Sequence, residues 1–357
     1  MNLEDYITLN PFSLNKDEKR GFFFALFKEL HQYHLSSSEE YRKISEVYFH
    51  KKKKLTSIEE APFLPISVFK NKLLSSVSPD KVYKILKSSG TTSSVPSQIV
   101  LDKETAALQT LTLSKILGHI LGKNRLPMLI VDSKSILKNR KSFTARGAGI
   151  LGLSVFGKKH LYLLDDHFQL LKSRLKAFVE ENKNERILIF GFTFLIWQYL
   201  ASEDLDFEID LSNAILIHSG GWKKLQSIAV DNFKFKKILQ DKFRIKPENI
   251  YNFYGTVEQV GSIFLENTDG YLHTPNFSEV IIRDPKDFSV QKKGEEGLIQ
   301  LVSILPKSYP GHSILTEDIG VITGEDDASN QWKGRYFKIL RRAKKADIRG
   351  CSDTFET

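Results

Sequence analysis

Between residues 17 and 47 apolar side chains return every three or four positions, at Phe22, Phe23, Leu26, Phe27 and Leu30, a spacing that places them on one face of an α-helix. The stretch SSSEEY then supplies capping chemistry for a second helix. In APFLPISVFKNKLL two prolines predict a non-helical entry before a short helix. Further on, KIL and SQIVLD are short apolar runs on either side of SSGTTSSVP. Lys103–Leu121 then reads as a helix, LPMLIVD as a buried strand, residues 167–182 as a helix, and RILIFGF and NAILIHSGG as further strands. Strands alternating with helices predict an α/β fold with a mainly parallel sheet flanked by helices. After Asp269 the texture changes to short β runs, YLHTPNFSEVIIRD and EGLIQLVSIL, broken by Gly, Pro and charge, which predicts a small β-rich subdomain. These changes divide the chain into an N-terminal helical region (1–80), an α/β core (81–268), a β-rich subdomain (269–340) and a short C-terminal segment (341–357). No internal repeat or low-complexity tract interrupts the pattern.

Composition narrows the class. The 357 residues are 41% hydrophobic and include 25 Phe, enough for a sizeable core. The formal net charge of +9 favours anionic partners. Lysine is scattered along the chain, however, with one compact run at Lys51–Lys54, so the clustered basic stripe and interleaved aromatics of a nucleic-acid binder are missing. A single cysteine, Cys351, excludes an internal disulfide and any zinc site built from several thiolates. The N-terminus lacks the apolar core of a signal peptide. The most apolar stretch, ILIFGFTFLIWQYLA, falls short of the ~20 residues that span a bilayer, so the expectation is a cytoplasmic protein without a membrane span.

Four short segments can carry chemistry. Ser88, Ser89, Gly90, Thr91 and Thr92 offer five backbone amides and four hydroxyls in five residues, which suits phosphate oxygens but also suits an ordinary strand-to-strand turn. No Gly-Lys-Ser/Thr ending makes it a Walker loop. Gly220 and Gly221 end a strand and leave either a flat ledge for a planar base or a turn that needs glycine. In YNFYGTVEQVG, Tyr254 can stack on a ring, with Gly255 beside it, and Glu258 can ligate Mg²⁺ or be a plain surface carboxylate. In LTEDIGVIT, Asp318 can accept ribose hydroxyls or sit in a turn. GAGILG, Gly147 to Gly152, fits the pattern of a dinucleotide loop, but the preceding NRKSFTAR is no strand and no acidic residue follows at the distance ribose binding needs.

Singly these segments are ordinary, but their order resembles that of the adenylate-forming superfamily of acyl and aryl ligases. PFLPISVFK, SSGTTSSVPS, FGFTFLIW, HSGGWKK, FYGTVEQ, LHTPNFSEVIIRDP and RRAKKADIRGCSD, from about Ala61 to the C-terminus, are similar in that order to one branch. That branch is the long-chain-fatty-acid–protein ligases, the acyl-protein synthetase component of the fatty-acid reductase complex of luminous bacteria. Three positions depart from the broad superfamily. Ser97 follows Pro96 where a lysine is usual, Val257 stands where Thr is usual, and Arg341 replaces the hinge's first glycine.

The resemblance implies an adenylate-forming large domain without the full mobile C-terminal domain. It implies ATP and Mg²⁺ as cofactors and activation of a fatty acid, long-chain by the family's habit, to acyl-AMP. Ser88, Ser89, Gly90, Thr91 and Thr92 would hold the ATP phosphates. Gly220, Gly221, Tyr254 and Gly255 would frame the adenine, Asp318 and Arg342 would serve the ribose and nucleotide, and Glu258 would hold Mg²⁺. Cys351 would take the acyl group as a thioester for delivery to a reductase partner. A ligase resembling phenylacetate–CoA ligase, with coenzyme A as acceptor, and a non-catalytic docking protein that keeps the fold are the alternatives.

Overall fold

The structure, a computed structural model, describes residues 3–49, 55–88, 95–137 and 145–343. Its packing forms two compact units, Met1–His119 with Gly255–Thr357, and Ile120–Tyr254. These cuts lie elsewhere than the boundaries at 80, 268 and 340 drawn from sequence texture. Texture follows the local period, whereas these units follow which segments pack together.

The first unit opens with α1 (Leu3–Thr8), α2 (Lys16–Ser37), α3 (Glu39–Phe49), β1 (Leu64–Pro65), α4 (Val68–Asn71), β2 (Lys84–Lys87), β3 (Gln98–Leu101) and most of α5 (Lys103–Leu121). Asn15 caps α2: its side chain accepts from the amides of Asp17 and Glu18, and Glu18 reaches back to the Asn15 amide at 2.9 Å. The buried stripe of α2 runs Lys19, Phe23, Phe27, His31, His34. Its middle follows the apolar spacing, but both ends are polar.

Lys19 Nζ lies 3.1 Å from Glu279 and donates to the carbonyls of Pro275 (3.1 Å) and Ser278 (2.5 Å). Burial alone would raise the Glu279 carboxyl; the charges of Lys19 and Arg335 outweigh it and hold the group below its usual range. Arg335 in turn pairs with Glu325 at 2.9 Å and Glu59 at 3.3 Å. At the other end of the stripe, His31 Nδ1 lies 3.0 Å from Tyr41 Oη and 3.4 Å from His312 Nε2. His34 is held by Ser76 Oγ at 2.7 Å and by the Pro306 carbonyl at 2.9 Å, its ring stacked on His312 at 4.7 Å.

The second unit is a parallel α/β layer. It contains β4 (Leu126–Ser133), α6 (Ala145–Ser154), β5 (Gly157–Leu164), α7 (Lys172–Glu181), β6 (Ile187–Phe192), α8 (Thr193–Ile196), β7 (Ala214–Ser219), α9 (Asn232–Phe243) and β8 (Ile250–Tyr254). The strand order is β8-β7-β6-β4-β5, and every pairing is parallel. Ile187, Ile189, Leu216, Phe235 and Leu239 form part of the core between sheet and helices. The helix expected at 167–182 starts only at Lys172. Asp165 accepts from the amides of His167 and Gln169 (both 2.8 Å), and Phe168 takes φ +59, so a side-chain-closed turn replaces the first helical turn.

The chain returns to the first unit with β9 (Phe264–Glu266), β10 (Leu272–His273), β11 (Ser278–Arg283), β12 (Gly297–Ser303), β13 (Ser313–Glu325) and β14 (Arg335–Arg342). These pair antiparallel in the order β11-β12-β13-β14-β10-β9, and β1 adds to β13 in parallel. The β runs read after Asp269 are these strands. Among the described residues no helix is long and apolar enough to cross a membrane.

Burial makes several histidines sensors of acid. It lowers His31 and His273 from 6.5 to about 4, and His34 and His218 to about 3. A group whose folded value is lowered contributes stability that is complete above its unfolded value, here 6.5, and is lost as pH falls toward the folded value. Each of these histidines is expected to cost about 1.4 kcal/mol of stability per pH unit over that window. Urea midpoints measured from pH 7 to pH 5 should therefore fall steeply. A flat profile would mean that these rings are protonated in the folded protein.

Candidate active site

Ser88, the first residue of the hydroxyl-rich segment, directly follows the first strand of a hairpin. β2 and β3 pair antiparallel from Lys84↔Leu101 to Lys87↔Gln98. Just beyond, the Ser88 amide donates to the Ser97 carbonyl (2.9 Å), and the Ser97 amide donates to Ser88 Oγ (2.8 Å). Ser97, at the position where the superfamily carries lysine, is buried, and its backbone, bonded to Ser88, closes the hairpin neck. Ser89, Gly90, Thr91 and Thr92 lie outside the described residues.

The hairpin is anchored by its apolar side chains. Leu86, Ile99 and Leu101 share one cluster with Val257, Val260 and Tyr309. Full burial of such side chains stabilises by about 1.5–3 kcal/mol each. Val257, the residue that replaces the usual Thr, therefore joins the packing that fastens the 257–260 turn to the hairpin.

Glu258 lies in that turn, a short 3₁₀ segment at Val257–Gln259. Tyr309 Oη donates to the Glu258 carbonyl (2.9 Å), and Gln109 Nε2 donates to Tyr309 Oη (3.3 Å). Burial, with the Glu258 charge adding to it, pushes the Tyr309 phenol far above its ordinary range, so it stays a neutral donor. Gln259 Nε2 donates to the carbonyls of Gly311 (2.8 Å) and Leu301 (3.1 Å). Two glycines permit this fit. A Cβ on Gly311 would lie 2.3 Å from the Tyr309 ring and 2.6 Å from the Glu258 carbonyl oxygen. Gly261, at φ +87, would place a Cβ 2.7 Å from the Gln109 backbone.

Glu258 is only 4% exposed, yet among the described residues its carboxylate makes no ion pair and no hydrogen bond. Among the described residues no group of three or more His, Cys, Asp or Glu side chains could hold a metal. One buried carboxylate is nonetheless the donor set that suits Mg²⁺, which keeps waters and takes its other ligands from phosphates.

Asp318 and Arg342, distant in sequence, are paired residues of the β13–β14 ladder. Arg342 reaches Asp318 at 3.9 Å and Glu317 at 3.3 Å. The Asp318 amide donates to Thr316 Oγ1 at 3.2 Å, and Thr316 donates to the Ile299 carbonyl at 2.8 Å. The structure thus brings together two residues that sequence singled out separately.

Gly220, Gly221 and Tyr254 belong to the second unit, Gly255 follows Tyr254 directly and begins the return segment, and Cys351 lies outside the described residues. Phe192, Ser219 and Phe253 are in register across β6, β7 and β8. Gly220, Gly221 and Tyr254 therefore follow level strand positions at the carboxyl edge of a parallel sheet, where ligands of open α/β sheets bind. Ser219 Oγ donates to the Phe253 carbonyl (2.8 Å), tying the two strand ends. Gly220 takes φ +82, which a side chain would strain, whereas a Cβ on Gly221 would meet nothing within 4 Å. His218, fully buried before the glycines, places Nδ1 2.9 Å from Thr193 Oγ1. Burial keeps it neutral.

GAGILG lies inside α6. A Cβ on Gly149 would touch the rings of Phe192 (3.4 Å) and Phe190 (3.6 Å), so this glycine serves close helix–sheet packing. Tyr309, Gln109 and Gly311, which shape the Glu258 turn, escaped the sequence reading because no local spacing links them to it. The Pro-Gly pair in SYPGHS was the only cue that a tight turn lay there.

The fold is that of the adenylate-forming ligases. A 2-hydroxyisobutyryl-CoA ligase solved in the postadenylation state with 2-HIB-AMP matches with a TM-score of 0.65 and 12% identity, over 93% of this chain and 70% of that one. The family model described as "Acyl-protein synthetase, LuxE" matches residues 2–357, and the chain belongs to that family of ligases. Two curated relatives are each named "Long-chain-fatty-acid--luciferin-component ligase". The one from Aliivibrio fischeri is 25% identical over 365 residues, covering 98% of this chain and 92% of its own. The one from Vibrio harveyi is 23% identical over 363 residues, with the same coverage. The branch resembled by the ordered motifs is thus the family to which the whole chain is matched.

Gly311→Ala is expected to lose about 1–3 kcal/mol of stability through overpacking against Tyr309. Gly21→Ala, where a Cβ in α2 meets nothing within 4 Å, is expected to gain about 0.5–1 kcal/mol. Urea unfolding of the two variants measures the contrast. Equal effects would mean that Gly311 is not held against the ring.

Proposed function

We propose that the protein activates a long-chain fatty acid with ATP, forming acyl-AMP and pyrophosphate, and then transfers the acyl group to its own Cys351. The carboxylate oxygen attacks the α-phosphorus and pyrophosphate leaves. The Cys351 thiolate then attacks the acyl carbon, forming the C–S bond and breaking the bond to the AMP oxygen. Membership of the acyl-protein synthetase family along the whole chain carries this reading. The names of the two curated relatives, fatty-acid ligases, support the choice of substrate. The structural neighbour that holds an acyl-AMP has the fold for the first half-reaction.

Residue roles follow by resemblance. Glu258, buried and without an ion pair among the described residues, would hold Mg²⁺, which offsets the charge of the β- and γ-phosphates. Ser88, Ser89, Gly90, Thr91 and Thr92 would hold those phosphates. Gly220, Gly221, Tyr254 and Gly255 would frame the adenine, and Asp318, steadied by Arg342, would accept the ribose hydroxyls. Cys351 lies outside the described residues; its role rests on its place in RGCSD. The thioester would pass to a reductase, which consumes an activated acyl group.

Two variants separate the half-reactions. Glu258→Gln is expected to lower ATP–pyrophosphate exchange by at least a hundredfold while leaving the melting temperature within a few degrees. Exchange at the wild-type rate would remove Glu258 from the reaction. Cys351→Ser is expected to keep exchange and lose the hydroxylamine-sensitive acyl label seen by intact mass on the wild type. Equal labelling would refute Cys351 as acceptor, and a thioester found only on added coenzyme A would make the protein a CoA ligase.

A further inference from the structure

Along one face of β6 the side chains run Leu188, Phe190, Phe192. The first two are fully buried, whereas Phe192, at the carboxyl edge, is only partly buried. Its ring meets Phe190 edge-on at 5.9 Å. Two glycines flank it. The Cβ missing from Gly149 on α6 would lie 3.4 Å from Phe192 Cζ, and the Cβ missing from Gly220 would lie 3.2 Å from its Cδ1. Beyond the ring, the Cβ direction of Gly221 is open. The last ring of the core thus forms a wall beside Gly220, and it offers a ligand no hydrogen-bonding group.

We propose that Phe192 is a specificity-determining residue that limits how broad the carboxylic acid can be next to its carboxyl carbon. This rests on the reading in which an acyl-adenylate forms at Gly220-Gly221. Hydrocarbon is the only part of that intermediate an apolar wall fits without stranding a polar group. A straight chain passes the face of the ring, whereas a branch or aryl ring next to the carboxyl collides with it. Phe190 and α6 back the wall, the Cβ position of Gly149 lying at van der Waals distance from both rings.

ATP–pyrophosphate exchange measures the claim, with tetradecanoate as the straight acid and 2-methyltetradecanoate and 4-butylbenzoate as broad ones. Phe192→Ala is expected to raise the ratio of kcat/KM for a broad acid over the straight one by at least tenfold, the scale on which pocket space discriminates. Phe192→Leu is expected to move the ratio the same way by a smaller factor, and it decides the matter if the alanine variant fails to fold. A wild-type ratio in a folded, active variant overturns the role of Phe192 and leaves the ligase reading intact. Wild-type protein that exchanges pyrophosphate with none of the acids overturns the ligase reading, and this proposal with it.

Discussion

The apolar contact between the β2–β3 hairpin and the 257–260 turn holds the first unit's chemistry in place. Leu86, Ile99 and Leu101 on one side and Val257, Val260 and Tyr309 on the other form an apolar seam. That seam fixes the backbone of Glu258 while Tyr309, itself steadied by Gln109, fastens the Glu258 carbonyl. Among the described residues no ion pair fixes the position of the Glu258 carboxylate. Its backbone must be held from below, and the seam does so at the cost of two glycines where any side chain would clash.

The second unit solves a different problem by regularity. Parallel strands in register bring their carboxyl ends level, so one glycine pair and one tyrosine arrive at the same edge without any special contact between them. The exceptions to regularity sit at that edge. Gly220 adopts a left-handed conformation, Ser219 ties two strand ends through its hydroxyl, and Phe192 emerges from the core between two glycines.

Charge is used sparingly inside the molecule. The chain's excess of lysine and arginine contributes little to the core, where Lys19 is balanced by Glu279 and backbone carbonyls. The buried histidines are kept neutral by desolvation, with hydrogen bonds to hydroxyls and carbonyls in place of counter-ions. Such groups hold the helix α2 against the strands directionally, which apolar packing alone does not.

The elements read from periodicity match the built ones closely, because a 3.6-residue or 2-residue repeat is written into each segment by itself. α2, α5, the parallel strands and the late β runs were legible in this way, and the ordered motifs carried the family. Polar residues inside the core were not legible: Lys19, His31 and His34 complete a stripe whose partners lie more than two hundred residues away or on other elements. The helix start at Lys172 was lost to a turn closed by Asp165, a short-range bond that outcompeted the helical period. Sequence alone could name Glu258, Asp318 and Arg342 as candidates. Only tertiary structure could pair Asp318 with Arg342 across a strand ladder, seat Glu258 on Tyr309, and set Phe192 between Gly149 and Gly220, since each of these depends on which distant backbones approach and how closely.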